Sequence, residues 1–162
     1  MRQHSIITGI QVLVIALLCY SCNNAQSISP SGLEEAKKAI AESNNIYFKA
    51  FQTGDSSIFV NRYAEDCCIM PPGAPAVCGH EGALNFFKIG YYKIGLRNGK
   101  FITKQVYGDG ESYVTEEGLW ESYDANNQLF DDGKFLVLWK KTPQGWKMFR
   151  DSFSSNRSAG LK

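Results

Sequence analysis

Apolar residues in the first third of the chain recur at the three- and four-residue spacing of a helix. Between residues 31 and 53 they form one continuous stripe, which predicts a long helix with one buried face. Gly54 ends this helix, and Asp55 is placed to cap a short second helix. A third helix is expected to begin after Gly79 and to close at Gly95.

Strand-like segments occupy most of the second half of the chain. Strands are predicted by segments in which apolar residues alternate with polar ones or follow one another without a break, and which are bounded by Gly, Pro, Asn and Asp. We expect strands over residues 66–70, 76–78, 100–107 and 111–123, and in the two arms of a hairpin within 134–153. Helices followed by a run of antiparallel strands are typical of an α+β domain.

The hairpin carries the most informative polar residue, Asp151. Its first arm is apolar on both faces, and Pro143 and Gly145 form the turn. Strict alternation in the second arm would place these residues on one face: Lys147, Phe149, Asp151 and Phe153. A carboxylate between two phenylalanines needs a partner or a raised pKa if that face is covered. A salt bridge or a cap at the strand end is the commoner explanation, and a ligand contact is the alternative.

The amino-terminal pattern predicts export. Arg2 precedes an apolar core over residues 6–18, so we interpret residues 1–21 as a signal peptide. Ser21 before Cys22 is similar to a bacterial lipobox, although Cys19 occupies a place that is usually aliphatic. We expect Cys22 to be lipidated, residues 22–30 to be a polar tether, and residues 31–157 to be one domain. The expected location is a bacterial membrane, on the periplasmic or cell-surface side, and the alternatives are simple secretion and a retained membrane anchor.

Charge and cysteine content narrow the classes of partner. The 162 residues contain 17 Lys and Arg against 16 Asp and Glu, which argues against a nucleic-acid partner, because proteins that bind nucleic acids carry a basic surface.

In an oxidising compartment Cys78 could form a disulfide with Cys68 or with Cys67, but we favour three reduced, buried cysteines. We expect no metal site, because neighbouring strand residues point to opposite faces and a zinc ion with His80 would need four converging ligands. No cofactor motif is present.

Several short segments, in this order and spacing, carry a family resemblance. They are Ala50-Phe51, Gly54-Asp55, Tyr63-Ala64-Glu65-Asp66, Met70-Pro71-Pro72-Gly73, Gly79-His80-Glu81, Gly118, the segment 134–140, Gly145-Trp146-Lys147 and Arg150-Asp151. Together they resemble the nuclear-transport-factor-2-like superfamily, and more narrowly its bacterial ketosteroid-isomerase-like and polyketide-cyclase-like (SnoaL-like) domains. The resemblance implies a cone-shaped, cystatin-like fold, in which a curved antiparallel sheet wraps around the long first helix and encloses an apolar pocket. It also implies a homodimer formed through the outer face of the sheet.

The resemblance also assigns pocket residues. It implies that aromatic residues of two helices and of the sheet, together with Asp151, line the pocket. The candidates are Tyr47, Phe51, Met70, Phe87, Tyr91, Trp120, Trp139, Phe149, Asp151 and Phe153. For each aromatic residue taken singly, packing in the core is the commoner role.

The catalytic base of the ketosteroid isomerases is missing at its expected place. That position falls on Met70 or Pro71, and neither side chain can move a proton. Asp151 paired with Tyr47 or Tyr91 is the candidate replacement.

Three hypotheses of function therefore stand. The first is an exported, lipid-anchored domain that binds a small apolar ligand. The second is an isomerase, cyclase or dehydratase that uses Asp151 and a tyrosine. The third is a dimeric interaction domain with a filled pocket. An open pocket would exclude the third. An Asp151 that faces the pocket beside a tyrosine hydroxyl would favour chemistry over a structural role.

Overall fold

The structure is a computed structural model that describes residues 30–157. The predicted signal peptide, Cys22 and the tether up to residue 29 lie outside the described residues. The helices are α1 (Pro30–Thr53), α2 (Ser56–Val60) and α3 (Gly79–Lys88), and a π-helical segment, Ile89–Ile94, continues α3. The strands are β1 (Tyr63–Met70), β2 (Val77–Cys78), β3 (Asn98–Gly108), β4 (Tyr113–Tyr123), β5 (Leu129–Thr142) and β6 (Gly145–Ser155). No helix within this range has the length and hydropathy that crossing a membrane requires.

The predicted α+β architecture is confirmed, with one difference in the sheet. The six strands lie in the order β2-β1-β6-β5-β4-β3 and form a curved sheet. All neighbouring pairs are antiparallel except β1 and β6, which run parallel. The sheet is therefore mixed, because β6 returns beside β1, a strand that precedes it by four other strands and a helix.

The core lies between α1 and the inner face of the sheet. Tyr47 and Phe48 of α1 pack on Phe101 of β3, with ring centroids 4.9 and 5.1 Å apart. Gly99 makes this approach possible, because a Cβ atom at that position would overlap the Phe48 ring. Helix α1 can therefore pack directly against β3.

A bulge in β6 changes the predicted faces of the hairpin. Leu138 pairs with Arg150, but the next residue, Trp139, pairs with Met148, so Phe149 has no partner on β5. An extra residue in one strand reverses the alternation beyond it. The predicted grouping of Phe149 with Asp151 is therefore wrong: Met148 and Asp151 are buried, and Phe149 lies outside the cavity.

The cysteine prediction also needs correction. Cys68 in β1 lies opposite Cys78 in β2, and their sulfur atoms form a disulfide. Cys67 is a buried free thiol. The sequence favours three reduced cysteines, but the register of the β1–β2 hairpin places Cys68 and Cys78 side by side. The disulfide closes the turn 71–76 onto the sheet.

Candidate functional site

An open cavity occupies the space between α1, α3 and the inner face of the sheet. Its volume is about 560 Å³, which lies within the usual range of ligand pockets. Its walls are mostly apolar. They include these aromatic residues: Tyr47, Phe48, Phe86, Phe101, Trp120, Phe130, Phe135 and Phe153. A packed cone with a filled pocket, the third hypothesis, does not describe this structure.

The mouth of the cavity is formed by three separate segments. On one side lies the turn between β1 and β2, including Pro72 and Ala74. On the other side lie the π-helical segment with Ile89 and Ile94, and the beginning of β5 with Asp131. The Asp131 carboxylate accepts a hydrogen bond from the Ser155 hydroxyl at 2.6 Å.

Four of the predicted pocket residues line the cavity: Tyr47, Trp120, Asp151 and Phe153. Trp120 and Phe153 form an edge-to-face pair with centroids 5.9 Å apart. Gly133 leaves room for the Trp120 ring against β5, because a Cβ atom there would come within 2.8 Å of the indole. The inner faces of β4, β5 and β6 thus form one continuous aromatic wall.

Three other predicted residues are packed in the core instead. Phe51 lies between Phe59 and Phe87, at centroid distances of 5.5 and 4.8 Å, and so faces α2 and α3 rather than the cavity. Trp139 is fully buried, and its indole N–H donates to Glu116 at 3.1 Å. Phe51, Phe87 and Trp139 are therefore corrections to the predicted pocket.

Phe149, Met70 and Tyr91 are also outside the cavity lining. Phe149 is moved by the bulge and stacks under the guanidinium of Arg150, 3.6 Å from the ring centroid. Met70 pairs with Ser152, one residue beyond Asp151, and therefore points to the opposite face of the sheet.

Tyr91 stacks on Phe87 with the rings 16° from parallel. The guanidinium of Arg97 covers its ring, 3.8 Å from the centroid. Tyr91 does not line the cavity, and the hydroxyl that bonds to Asp151 is that of Tyr63, so Tyr91 is not the predicted partner of Asp151.

Asp151 is the buried carboxyl of the cavity. Only 8% of its surface is exposed, and its Oδ2 atom accepts a hydrogen bond from the Tyr63 hydroxyl at 2.7 Å. Its Oδ1 atom accepts no hydrogen bond from residues 30–157 and is not sealed inside the protein, so it is open to the cavity. No Lys or Arg in that range forms an ion pair with it. The salt bridge that was the commoner explanation is absent from the described part of the chain.

Burial raises the pKa of Asp151 from 3.8 to about 6. The hydrogen bond from Tyr63 opposes this rise, and the charge of Glu116 adds to it. A carboxyl group with such a pKa exchanges its proton close to neutral pH. It can accept a hydrogen bond when ionised and donate one when protonated.

Two tyrosines adjoin Asp151. Burial raises the pKa of Tyr63 well above its ordinary value, and the negative charge of Asp151 raises it further. The same two causes raise the pKa of Tyr47, whose hydroxyl interacts with that of Tyr63. Both phenols therefore stay neutral. Tyr63 holds Asp151 in place, and Tyr47 forms part of the cavity wall.

A second buried carboxyl, Glu116, was not among the predicted residues. It is 1% exposed, and its Oε1 atom accepts hydrogen bonds from Asn44 at 2.7 Å and from Thr103 at 2.6 Å. Burial raises its pKa, and the donors oppose that rise. Glu116 and Asp151 lie in one row across β4, β5 and β6, separated by Val137. Because its donors occupy both of its oxygens, Glu116 supports the site without facing the cavity.

Solved structures that are similar to this chain share this architecture. An NTF2-like protein of unknown function from Shewanella oneidensis MR-1 is 19% identical, with a TM-score of 0.62 over 74% of this chain and 98% of that chain. A ketosteroid isomerase-like protein from Erwinia carotovora atroseptica SCRI1043 is 18% identical, with a TM-score of 0.62 over 80% of this chain and 100% of that chain.

The chain has the NTF2-like fold. A cystatin-like domain of unknown function from Nostoc punctiforme PCC 73102 is consistent with this, with 12% identity and a TM-score of 0.65 over 76% of this chain and 78% of that chain. No protein-family model and no curated protein sequence matches the chain. At these identities the similar structures show the fold alone, so the function must be argued from the cavity.

Proposed function

We propose that this NTF2-like protein binds a small, largely apolar molecule in its cavity, and that Asp151 holds the polar group of that molecule. One observation carries the proposal: an open cavity of about 560 Å³ with apolar walls contains a buried carboxyl oxygen that no residue of the range 30–157 occupies. Pockets of this kind bind ligands by apolar contact and orient them through a few polar groups.

Blocking the mouth of the cavity tests the proposal. Ala74 is exposed and lines the mouth, so Ala74→Trp would fill the entrance without disturbing the core. Ala76 is exposed in the same turn but is not part of the lining, so Ala76→Trp is the matched control. We expect the neutral apolar dye Nile red to bind the wild type and Ala76→Trp with a rise in fluorescence, and to bind Ala74→Trp at least tenfold more weakly. Equal binding by all three proteins would place the dye elsewhere and contradict the proposal.

The second candidate function is catalysis of the isomerase, cyclase or dehydratase type. It is supported by the pKa of about 6 at Asp151, because a general base works best when its pKa is near the working pH. In this hypothesis Asp151 accepts a proton from the bound molecule, and the Tyr63 hydroxyl holds the carboxyl group in place by its hydrogen bond. Recovery of a bound molecule after incubation with the wild type and with Asp151→Asn would separate the two functions. A changed mass or retention time with the wild type alone would favour catalysis, and an unchanged molecule would favour binding.

We further propose that the protein is exported and that a lipid on Cys22 anchors it to a membrane. The support is the sequence of residues 1–22, and the lipid is the only membrane contact that we propose. Metabolic labelling with palmitate should mark the wild type and Cys19→Ala, but not Cys22→Ala. Equal labelling of all three would contradict lipidation at Cys22.

We also propose that the protein forms a homodimer through the outer face of the sheet. Leu119 on β4 and Leu136 on β5 expose 38% and 49% of their surfaces there. Apolar side chains clustered on an exposed sheet face are typical of an interaction surface. The proposed partners are thus a small apolar molecule and a second copy of this chain, and the balanced charge gives no support to a nucleic acid.

A further inference from the structure

The charged groups that line the cavity are all acidic. Asp151 lies inside and Asp131 lies at the mouth, and the lining contains no Lys, Arg or His. Asp131 already has partners, since Ser155 donates to it and the Nε atom of Arg157 lies 3.8 Å away. Asp151 has only the neutral hydroxyl of Tyr63. The cavity therefore offers one carboxylate whose charge is not compensated by a cation in the described part of the chain.

An uncompensated buried carboxylate is an unfavourable arrangement for the empty protein. Burial disfavours its ionised form, and a cation beside it restores that form. Asp151 is more than nine-tenths buried, and its open Oδ1 atom faces the cavity rather than another side chain. A positive group on the ligand would supply the missing partner.

Aromatic rings surround the place where such a group would lie. Phe153 is two residues beyond Asp151 on the same face of β6. Its ring meets Trp120 at 5.9 Å and Phe86 at 6.0 Å, and it pairs across the strands with Phe135. The faces of aromatic rings attract cations, most strongly where water is excluded. A carboxylate within an aromatic wall is thus suited to an organic ammonium group.

We propose that the ligand of this cavity is an apolar amine or ammonium compound, whose positive nitrogen pairs with the Oδ1 atom of Asp151 while its apolar body lies against the aromatic wall. This inference rests on the proposed ligand-binding function and specifies its ligand class. An apolar carboxylate, such as a fatty acid, would bring a second negative charge next to Asp151 and is disfavoured. A neutral alcohol could donate a hydrogen bond to Oδ1 but would leave the charge uncompensated.

Amine binding should depend on pH through Asp151. The titratable groups that face Asp151 are Tyr63 from β1, Tyr47 from α1 and Glu116 from β4, and Arg62 lies beside both tyrosines. The neighbouring residue of β5 is Val137, which does not titrate. Both tyrosines stay neutral, so protonation of Asp151 is the change expected near pH 6. At pH 5 about a tenth of the carboxyl groups remain ionised, which predicts binding about tenfold weaker than at pH 8.

A matched set of ligands tests the charge preference directly. We would measure the dissociation constants of 4-phenylbutylamine, 4-phenylbutan-1-ol and 4-phenylbutyrate by calorimetry at pH 8 and pH 5. The compact set 1-adamantylamine, 1-adamantanol and 1-adamantanecarboxylate would repeat the comparison with another shape. We expect the amine of each set to bind at least tenfold more tightly than the alcohol at pH 8, and the carboxylate to bind most weakly. The advantage of the amine should shrink about tenfold at pH 5.

Variants assign the preference to Asp151. Asp151→Asn should bind amine and alcohol about equally at both pH values, while Asp66→Asn, an exposed aspartate of β1, should keep the preference of the wild type. Thermal unfolding of each variant shows that it is folded, and the pH profile of the wild type tests the idea without any substitution. If the alcohols bind as tightly as the amines, or the carboxylates more tightly, the amine inference is overturned while ligand binding stands. If neither set binds and Nile red also fails to bind, the proposed function falls as well.

Discussion

Replacing Asp151 with asparagine should stabilise the protein at neutral pH. In the folded state the pKa of Asp151 is about 6, and its ordinary value is 3.8. A carboxyl group whose pKa is raised on folding stabilises the folded state most below its ordinary pKa, and that stability is lost as the pH rises from 3.8 through about 6. The two pKa values differ by about two units, and each unit corresponds to about 1.4 kcal/mol. The ionised group therefore lowers the free energy of unfolding by on the order of 3 kcal/mol above pH 7. Asparagine has nearly the same shape, can still accept the Tyr63 hydrogen bond, and carries no such cost.

The assay is urea unfolding of the wild type and Asp151→Asn at pH 7.5 and pH 4. We expect the variant to gain about 2–3 kcal/mol in the free energy of unfolding at pH 7.5, and to gain much less at pH 4, where the folded wild type is protonated. Asp66→Asn serves as the control, because Asp66 is exposed and bonded to Lys140 at 2.7 Å. Asp66→Asn should change the free energy of unfolding little, and any loss should be greater at pH 7.5 than at pH 4. If Asp151→Asn were destabilised at pH 7.5, or if its effect did not depend on pH, Asp151 would have a structural partner and the reasoning would be refuted.

Three further predictions concern the frame around the site. Glu116→Ala should lower the free energy of unfolding in urea by about 3 kcal/mol, because it leaves buried donors unpaired and opens a cavity. Glu117→Ala, on the opposite face, should lower it by less than about 1 kcal/mol. Equal losses in the two variants would contradict the buried, hydrogen-bonded position of Glu116. Replacing both Cys68 and Cys78 with serine should cost roughly 3 kcal/mol, the value expected for a closed loop of this length, and no loss of stability would show that the bond does not form in solution. For the proposed homodimer, Leu136→Asp should sediment as a monomer in analytical ultracentrifugation where the wild type sediments as a dimer, and equal sedimentation coefficients would contradict a dimer formed through this face.

The architecture could be predicted because the apolar pattern is regular where the elements are regular. The stripe of 31–53 predicts α1 almost to the residue, and the long apolar runs predict β3 to β6. The parallel pairing of β1 with β6 was not foreseen, since strand periodicity carries no information about which distant strand becomes a neighbour.

The site was predicted only in part, and the bulge at Phe149 shows why. Strict alternation correctly grouped Asp151 with Phe153, but it cannot foresee an extra residue upstream, so Phe149 was assigned to the wrong face. Glu116 could have been found: it interrupts the apolar alternation of β4 between Val114 and Trp120, a position that a charged residue seldom occupies without partners.

Tyr63 illustrates a different limit. It stands at the start of β1, 88 residues before Asp151 in the sequence, and nothing in its local pattern indicates that the two meet. Their contact depends on the parallel pairing of the strands that carry them, which only the folded structure reveals.

Native mass spectrometry of the gently purified protein, compared with Asp151→Asn, shows most directly whether the cavity binds a ligand through Asp151. We predict that the wild type carries a small apolar molecule, that the mass of this molecule is compatible with a cavity of about 560 Å³, and that Asp151→Asn loses it. A wild-type protein that is empty, and that remains empty after incubation with Nile red and with the apolar amines, would contradict a ligand-binding role for the cavity.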